Sequence, residues 1–189
     1  SLLTDIDTNL DTHKRMTWDE CKRGFLGIKT CTRWHRPEGY IRVNTPEGNE
    51  GVKGVKVKMA RWFTLSETYT DENGYYISPE KYDQILISND VVYTLQFSSE
   101  KNDNKWKLAE AYSTFISFGN TSFALGKAHP RGNDFTFNRT SEVWGRCILN
   151  NTIYEYCTFA ENEGLSLPPK NLFVATSKSS EDYPYNSAP

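Results

Sequence analysis

Between Val55 and Met59 the chain alternates apolar and cationic side chains, with Val55, Val57 and Met59 in one set and Lys56 and Lys58 in the other. A repeat of two is the period of a strand, so one set faces a core and the other faces water. The pattern continues through Arg61-Trp62-Phe63-Thr64 into a second extended stretch. It then meets Thr70-Asp71-Glu72-Asn73-Gly74-Tyr75-Tyr76, where Asp71, Asn73 and Gly74 are turn formers set directly ahead of a third strand. This succession predicts an antiparallel β-sandwich. The same residues offer no nucleophile, base or metal set, so what fixes the fold carries no chemistry.

The rest of the chain divides around this segment. Residues 1–33 read as a lead-in, polar over 1–14, followed by a short strand or hairpin over 24–33. The sandwich occupies 34–137 with seven or eight strands. Tyr40-Ile41-Arg42-Val43 opens it, Pro46-Glu47-Gly48-Asn49 is a turn, and 55–63 is one long strand. Val91, Tyr93, Leu95 and Phe97 alternate with polar neighbours, the polar run 98–107 is expected as a loop tip, and Phe115, Ile116, Phe118 and Phe123 mark further strand. Asp134-Phe135-Thr136-Phe137 is expected as the last strand. Over 141–163 the spacing turns helical, with an apolar stripe of Val143, Cys147, Ile153, Tyr154, Cys157 and Ala160. Ser141 is placed as its N-cap and Gly164 as its stop. The segment 138–176 is then a helix laid across the sandwich, and 177–189 is a polar tail. The fold class is mainly β, with one C-terminal α-helix.

In a chain of 189 residues with net charge −2, Lys and Arg are dispersed rather than gathered on one face, which excludes a nucleic-acid footprint. No apolar run reaches the ~20 residues of a membrane-spanning helix. Aromatic residues form 14% of the chain, a content suited to the pleated surfaces of secreted β-proteins. The opening Ser1-Leu2-Leu3-Thr4 leaves two readings, a cytosolic protein or one whose targeting segment has been removed. Cys21 and Cys31 flank the turn-like Gly24-Phe25-Leu26-Gly27 and are placed to meet across a hairpin. Cys147 and Cys157 lie on one helix, separated by about 15 Å of rise, beyond the ~7 Å that a disulfide tolerates. No Cys-x-x-Cys pair occurs, and His13, His35 and His129 never fall at the i, i+4 spacing of a zincin helix, so neither metal nor cofactor is expected.

Three sets of residues merit weighing as sites. Asp71-Glu72-Asn73-Gly74 resembles half a calcium loop, but Tyr82 stands at the twelfth position where a bidentate Glu is needed, so it is read as a turn. Trp34, Trp62, Tyr75, Tyr76 and Trp106 are candidates for a stacking surface that takes sugar rings or a protein partner, or else for core. As strand neighbours, Trp62 and Phe63 are expected on opposite faces. Asn120-Thr121-Ser122, Asn138-Arg139-Thr140 and Asn150-Asn151-Thr152 match the N-glycosylation pattern. No Ser or Cys is grouped with His and a carboxylate, and no catalytic residue is assigned.

The Gly-Val-x-Val strand at Gly54-Val55-Lys56-Val57 and the Thr-Asp-x-x-Gly-Tyr turn at Thr70–Tyr75 resemble the carboxypeptidase regulatory-like, or transthyretin-like, Greek-key β-sandwich. With Trp34-x-Arg36-Pro37-x-Gly39-Tyr40-Ile41 and Arg61-Trp62-Phe63-Thr64, the stretch 34–97 is similar to the N-terminal part of bacterial surface lipoproteins that carry a zincin-like metallopeptidase domain further along. The resemblance implies an exported module, anchored at the cell surface through a lipid on a removed N-terminal segment. It also makes the start of a further domain the alternative reading of 138–176. It implies a non-catalytic accessory role beside a peptidase domain outside this chain, and a bacterial origin would leave the three glycosylation patterns unused. An adhesion module that binds polysaccharide or host protein through exposed aromatic residues is the alternative.

Overall fold

The computed structural model describes residues 16–84, 90–111 and 120–177. In chain order its strands are β1 (Thr17–Arg23), β2 (Lys29–His35), β3 (Glu38–Thr45), β4 (Gly48–Gly51), β5 (Lys56–Arg61), β6 (Thr64–Tyr69) and β7 (Tyr75–Ile77). They continue with β8 (Tyr82–Asp83), β9 (Val91–Gln96), β10 (Ser98–Lys101), β11 (Asn104–Ala111), β12 (Ser122–Ala128) and β13 (Phe135–Phe137). Helix α1 (Trp144–Glu163) and β14 (Leu172–Ser177) complete the described chain. The expected strands at Phe115, Ile116 and Phe118, the lead-in 1–14 and the tail beyond Ser177 lie outside the described residues.

The central antiparallel sheet runs β12-β9-β5-β6. Its inner face is the alternation visible in the sequence: Val57, Met59, Tyr93 and Leu95 are all fully buried. Lys56 and Lys58 lie on the other face, where Lys56 Nζ reaches Glu67 at 2.9 Å and lies 5.2 Å from the Tyr69 ring centre. Opposite stands a second layer built on β3. Its first half pairs with β7 and its second half with β4, while β13 runs parallel along its other edge, Phe135 beside Ile41. Ile41 and Val43 close the core from this side.

The Thr-Asp-x-x-Gly-Tyr motif is explained by this packing. The buried Thr70 hydroxyl donates to the Val52 carbonyl at 2.6 Å and accepts the Val55 N–H at 3.0 Å, joining the start of β5 to the end of β6. Asp71 Oδ1 accepts the N–H groups of Asn73 and Tyr75 at 2.8 and 2.9 Å, which spends the carboxylate on its own turn. Gly74 has φ 76°, and a Cβ there would strike the Ile41 carbonyl oxygen. The motif is therefore a turn, and its Thr70 and Gly74 also lock two layers together.

Several expected boundaries shift. The strand expected over 55–63 stops at Arg61, because Trp62 and Phe63 form the two-residue turn into β6. The polar run 98–107 is a hairpin of β10 and β11 turning at Asn102 and Asp103; its polar side chains alternate with the buried Ser99, Asn104 and Trp106. Ser141 does not cap the helix through its side chain; the helix begins at Trp144 after a turn in which the Trp144 N–H donates to the Ser141 carbonyl at 3.0 Å. Gly164 ends it in the left-handed region with φ 65°. Beyond the helix, β14 returns to pair in parallel with β11, an element the sequence reading lacks because its partner lies some 65 residues upstream (Trp106 beside Leu172).

Helix α1 is seated on the sandwich. Val143, Cys147 and Cys157 join the same hydrophobic cluster as Val55, Val57 and Leu108. Between these apolar contacts the helix buries two amides. Asn151 Oδ1 accepts the Lys53 N–H at 2.9 Å while its Nδ2 donates to the Gly51 carbonyl at 2.7 Å. Asn150 Nδ2 donates to the Lys53 carbonyl at 2.7 Å, and its Oδ1 accepts the Trp106 indole N–H at 3.0 Å. These amides supply the pairing that the irregular 51–54 backbone and a buried indole require.

Candidate functional site

The five aromatic residues singled out in the sequence do not assemble into one surface. Tyr76 is buried, and its hydroxyl donates to the Asn133 carbonyl at 2.7 Å. Trp106 is buried against α1, edge-on to Tyr154. Both are core, because their positions on β7 and β11 fall on the inward side of the pleat. Tyr75 is half-buried, and its hydroxyl donates to Glu38 Oε2 at 2.6 Å. Burial first, and the Glu38 carboxylate next, push this phenol far above its ordinary pKa. Trp34 is half-buried under Lys81, whose Nζ lies 4.3 Å from the ring centre. Trp62 alone is open to solvent, with 69% of its surface exposed.

Trp62 has company that strand logic hides. It forms the β5–β6 turn with Phe63, and both rings point into solvent, so the two are not on opposite faces of a strand. Trp62 sits at φ 49°, a region that Asn or Gly takes more cheaply than a bulky residue. The root of the turn is fixed: the buried Arg61 guanidinium donates to the Asp83 carbonyl at 2.5 Å and pairs with the Asp83 carboxylate on β8.

A second exposed end lies on the β1–β2 hairpin. Cys21 and Cys31, facing each other in register, are joined by a disulfide, and every residue over 21–33 is exposed. At the tip, Phe25 and Leu26 are 93% and 83% exposed, and Ile28 follows close behind. The sequence carried a signal for this: an apolar Phe25-Leu26-Gly27-Ile28 run inside a turn cannot reach a core.

His35 holds the root of this hairpin. Its Nδ1 accepts from the Thr17 hydroxyl at 3.0 Å, and its Nε2 donates to Gln84 Oε1 at 3.3 Å. Burial lowers its pKa, against the Gln84 hydrogen bond that raises it, with Arg131, Arg33 and Arg61 adding to the lowering. The hydroxyl–imidazole–amide row is a satisfied buried histidine that ties β1 to Gln84, the residue after β8. His129 packs edge-on to it at 5.2 Å and accepts the Arg131 N–H, while His13 lies outside the described residues. Among the described residues no three His, Cys, Asp or Glu side chains gather in a way that would hold a metal.

The remaining thiols, Cys147 and Cys157, are unpaired and buried, and burial raises both pKa values. That makes them packing groups rather than nucleophiles. Of the glycosylation patterns, Asn120 and Asn138 are exposed while Asn150 is buried in the helix contact. A shallow open depression of about 480 Å³ lies between α1 and the 71–74 turn, lined by Lys53, Asn73, Tyr154 and Phe159 among others. Its cation is already held by Glu50 at 3.1 Å and Glu155 at 2.5 Å. No helix among the described residues is long and apolar enough to cross a membrane. No family model, curated protein or solved structure matches the chain.

Proposed function

We propose that this chain is a non-catalytic accessory module of an exported, surface-anchored protein, and that it engages its partner through the Trp62–Phe63 turn. The observation that carries the reading is the pair of adjacent rings in solvent, on a turn where Trp62 holds a left-handed backbone that Asn or Gly would relax and whose root Arg61 anchors. Large aromatic side chains on a rigid support offer contact area at little entropic cost. The Cys21–Cys31 disulfide supports export, since such bonds persist in oxidising compartments. The resemblance of 34–97 suggests as partner a zinc peptidase domain elsewhere in the same gene product. A second reading, an adhesion module, is favoured by the same turn, because an exposed indole face also suits a sugar ring.

One variant separates the readings. W62N/F63G should keep its fold, since neither ring packs in the core. If the peptidase domain binds the wild-type chain at least tenfold more tightly than this variant, the accessory role stands. If instead soluble polysaccharide retards only the wild-type chain in an affinity gel, the adhesion role does. Equal behaviour of the two chains in both assays sinks the assignment of the turn.

A further inference from the structure

We infer that the β1–β2 hairpin is a membrane-contacting finger, which dips its apolar tip into an anionic lipid surface. The inference is independent of the Trp62–Phe63 reading, because it rests on a different hairpin. The ribbon is held to the body at its base, where Trp34 and His35 pair with β8. From there five registered pairs, Asp19 with Arg33 through Arg23 with Lys29, carry it outward, a reach of about 17 Å at ~3.4 Å per residue. A two-stranded ribbon is marginal in water, and the disulfide across its middle is what keeps this one extended. Leu26 at the tip takes φ 74°, which turns an apolar side chain outward where Gly or Asn is the cheaper occupant.

Charge selects the occupant. The acidic residues of the ribbon are already paired, Asp19 with Arg33 at 2.9 Å and Glu20 with Lys81 at 2.5 Å. Around the tip stand Lys22, Arg23 and Lys29, none of them in an ion pair among the described residues, and no acidic residue lies between Cys21 and Cys31. Arg23 and Lys29 are directly opposite each other, a like-charge pair that is unfavourable until an anion comes between. Apolar side chains at the point with cations one step behind them match a bilayer, where the former enter the acyl boundary and the latter meet phosphates. A protein partner fits less well: the tip offers three exposed apolar side chains, Phe25, Leu26 and Ile28, where a stable protein interface draws on about 20–30 residues a side.

The test is co-sedimentation of the full chain with vesicles of equal parts phosphatidylglycerol and phosphatidylcholine, against phosphatidylcholine alone. Wild-type protein should partition at least tenfold more strongly to the anionic vesicles at 50 mM salt, and this preference should collapse at 500 mM. F25S/L26S should lose at least tenfold in binding while keeping its disulfide and its thermal midpoint, since both side chains are exposed. K22S/K29S should lose a comparable amount, at about fivefold per cation. Absence of vesicle binding, or binding that ignores the tip substitutions, overturns the inference. So does a concentration-dependent dimer that F25S/L26S abolishes, which would assign the tip to a second copy of the chain, or tip-dependent capture by a soluble acidic protein without any lipid binding.

Discussion

Replacing Asn150 by Ala tests how far the helix and the sandwich are one cooperative body. Asn150 is fully buried, accepts the Trp106 indole N–H and donates to the Lys53 carbonyl. Truncation leaves two groups without partners, the Trp106 indole N–H in a site closed to water and the Lys53 carbonyl in a half-buried one. A buried unpaired polar group costs ~1–3 kcal/mol; the enclosed indole belongs at about 2 and the half-buried carbonyl at about 1 within that range. Alanine returns roughly 0.5 kcal/mol through its helix propensity, which leaves a net loss of about 2.5 kcal/mol. The control is Thr152→Ala, on the exposed side of the same helix, where the hydroxyl only bonds back to the Ile148 carbonyl. That change should fall within ~0.5 kcal/mol of wild type. Urea unfolding followed by both circular dichroism and Trp fluorescence reads the difference, with coincident transitions and an unchanged slope expected. A loss below about 1 kcal/mol for Asn150→Ala would refute the reasoning. A helix signal that melts ahead of the tryptophans would show that α1 is a separate unit.

His35 predicts a pH dependence. Its folded pKa is depressed by burial, so between that value and the ~6.5 of the unfolded chain only the unfolded state binds the proton. Stability should therefore fall as pH drops from about 7.5 through 6, by up to ~1.4 kcal/mol per unit, and level off below the folded pKa. His35→Gln should flatten that window, and an identical slope in the variant would assign it to another group. The disulfide predicts chemistry by position. Non-reducing peptide mapping should yield Cys21 linked to Cys31, with Cys147 and Cys157 alkylated only after denaturation; a peptide linking Cys147 to Cys157 would mean the helix breaks at Asn150-Asn151. Cys21→Ser/Cys31→Ser should expose 21–31 to trypsin at Lys22, Arg23 and Lys29 while leaving the global unfolding midpoint nearly unchanged, because no residue of that ribbon segment is in the core.

Local patterns determined much of this protein before any tertiary contact was known. The period-two runs at Val55–Met59 and Val91–Phe97 had one way to bury their apolar sets, and the Asp71–Gly74 turn closes on its own backbone. Cys21 and Cys31 were close enough in sequence for a hairpin to bring them into register. What depends on distant partners stayed hidden. Only the folded chain shows that β14 has an edge of β11 to join, because parallel pairing leaves no turn signal between the strands. Two asparagines side by side on a helix read as surface until the 51–54 backbone and the Trp106 indole are seen to need them. The aromatic residues divide for the same reason. Composition cannot tell Trp106, sealed by a helix, from Trp62, lifted clear by a two-residue turn, since burial belongs to what packs across a residue and not to the residue itself.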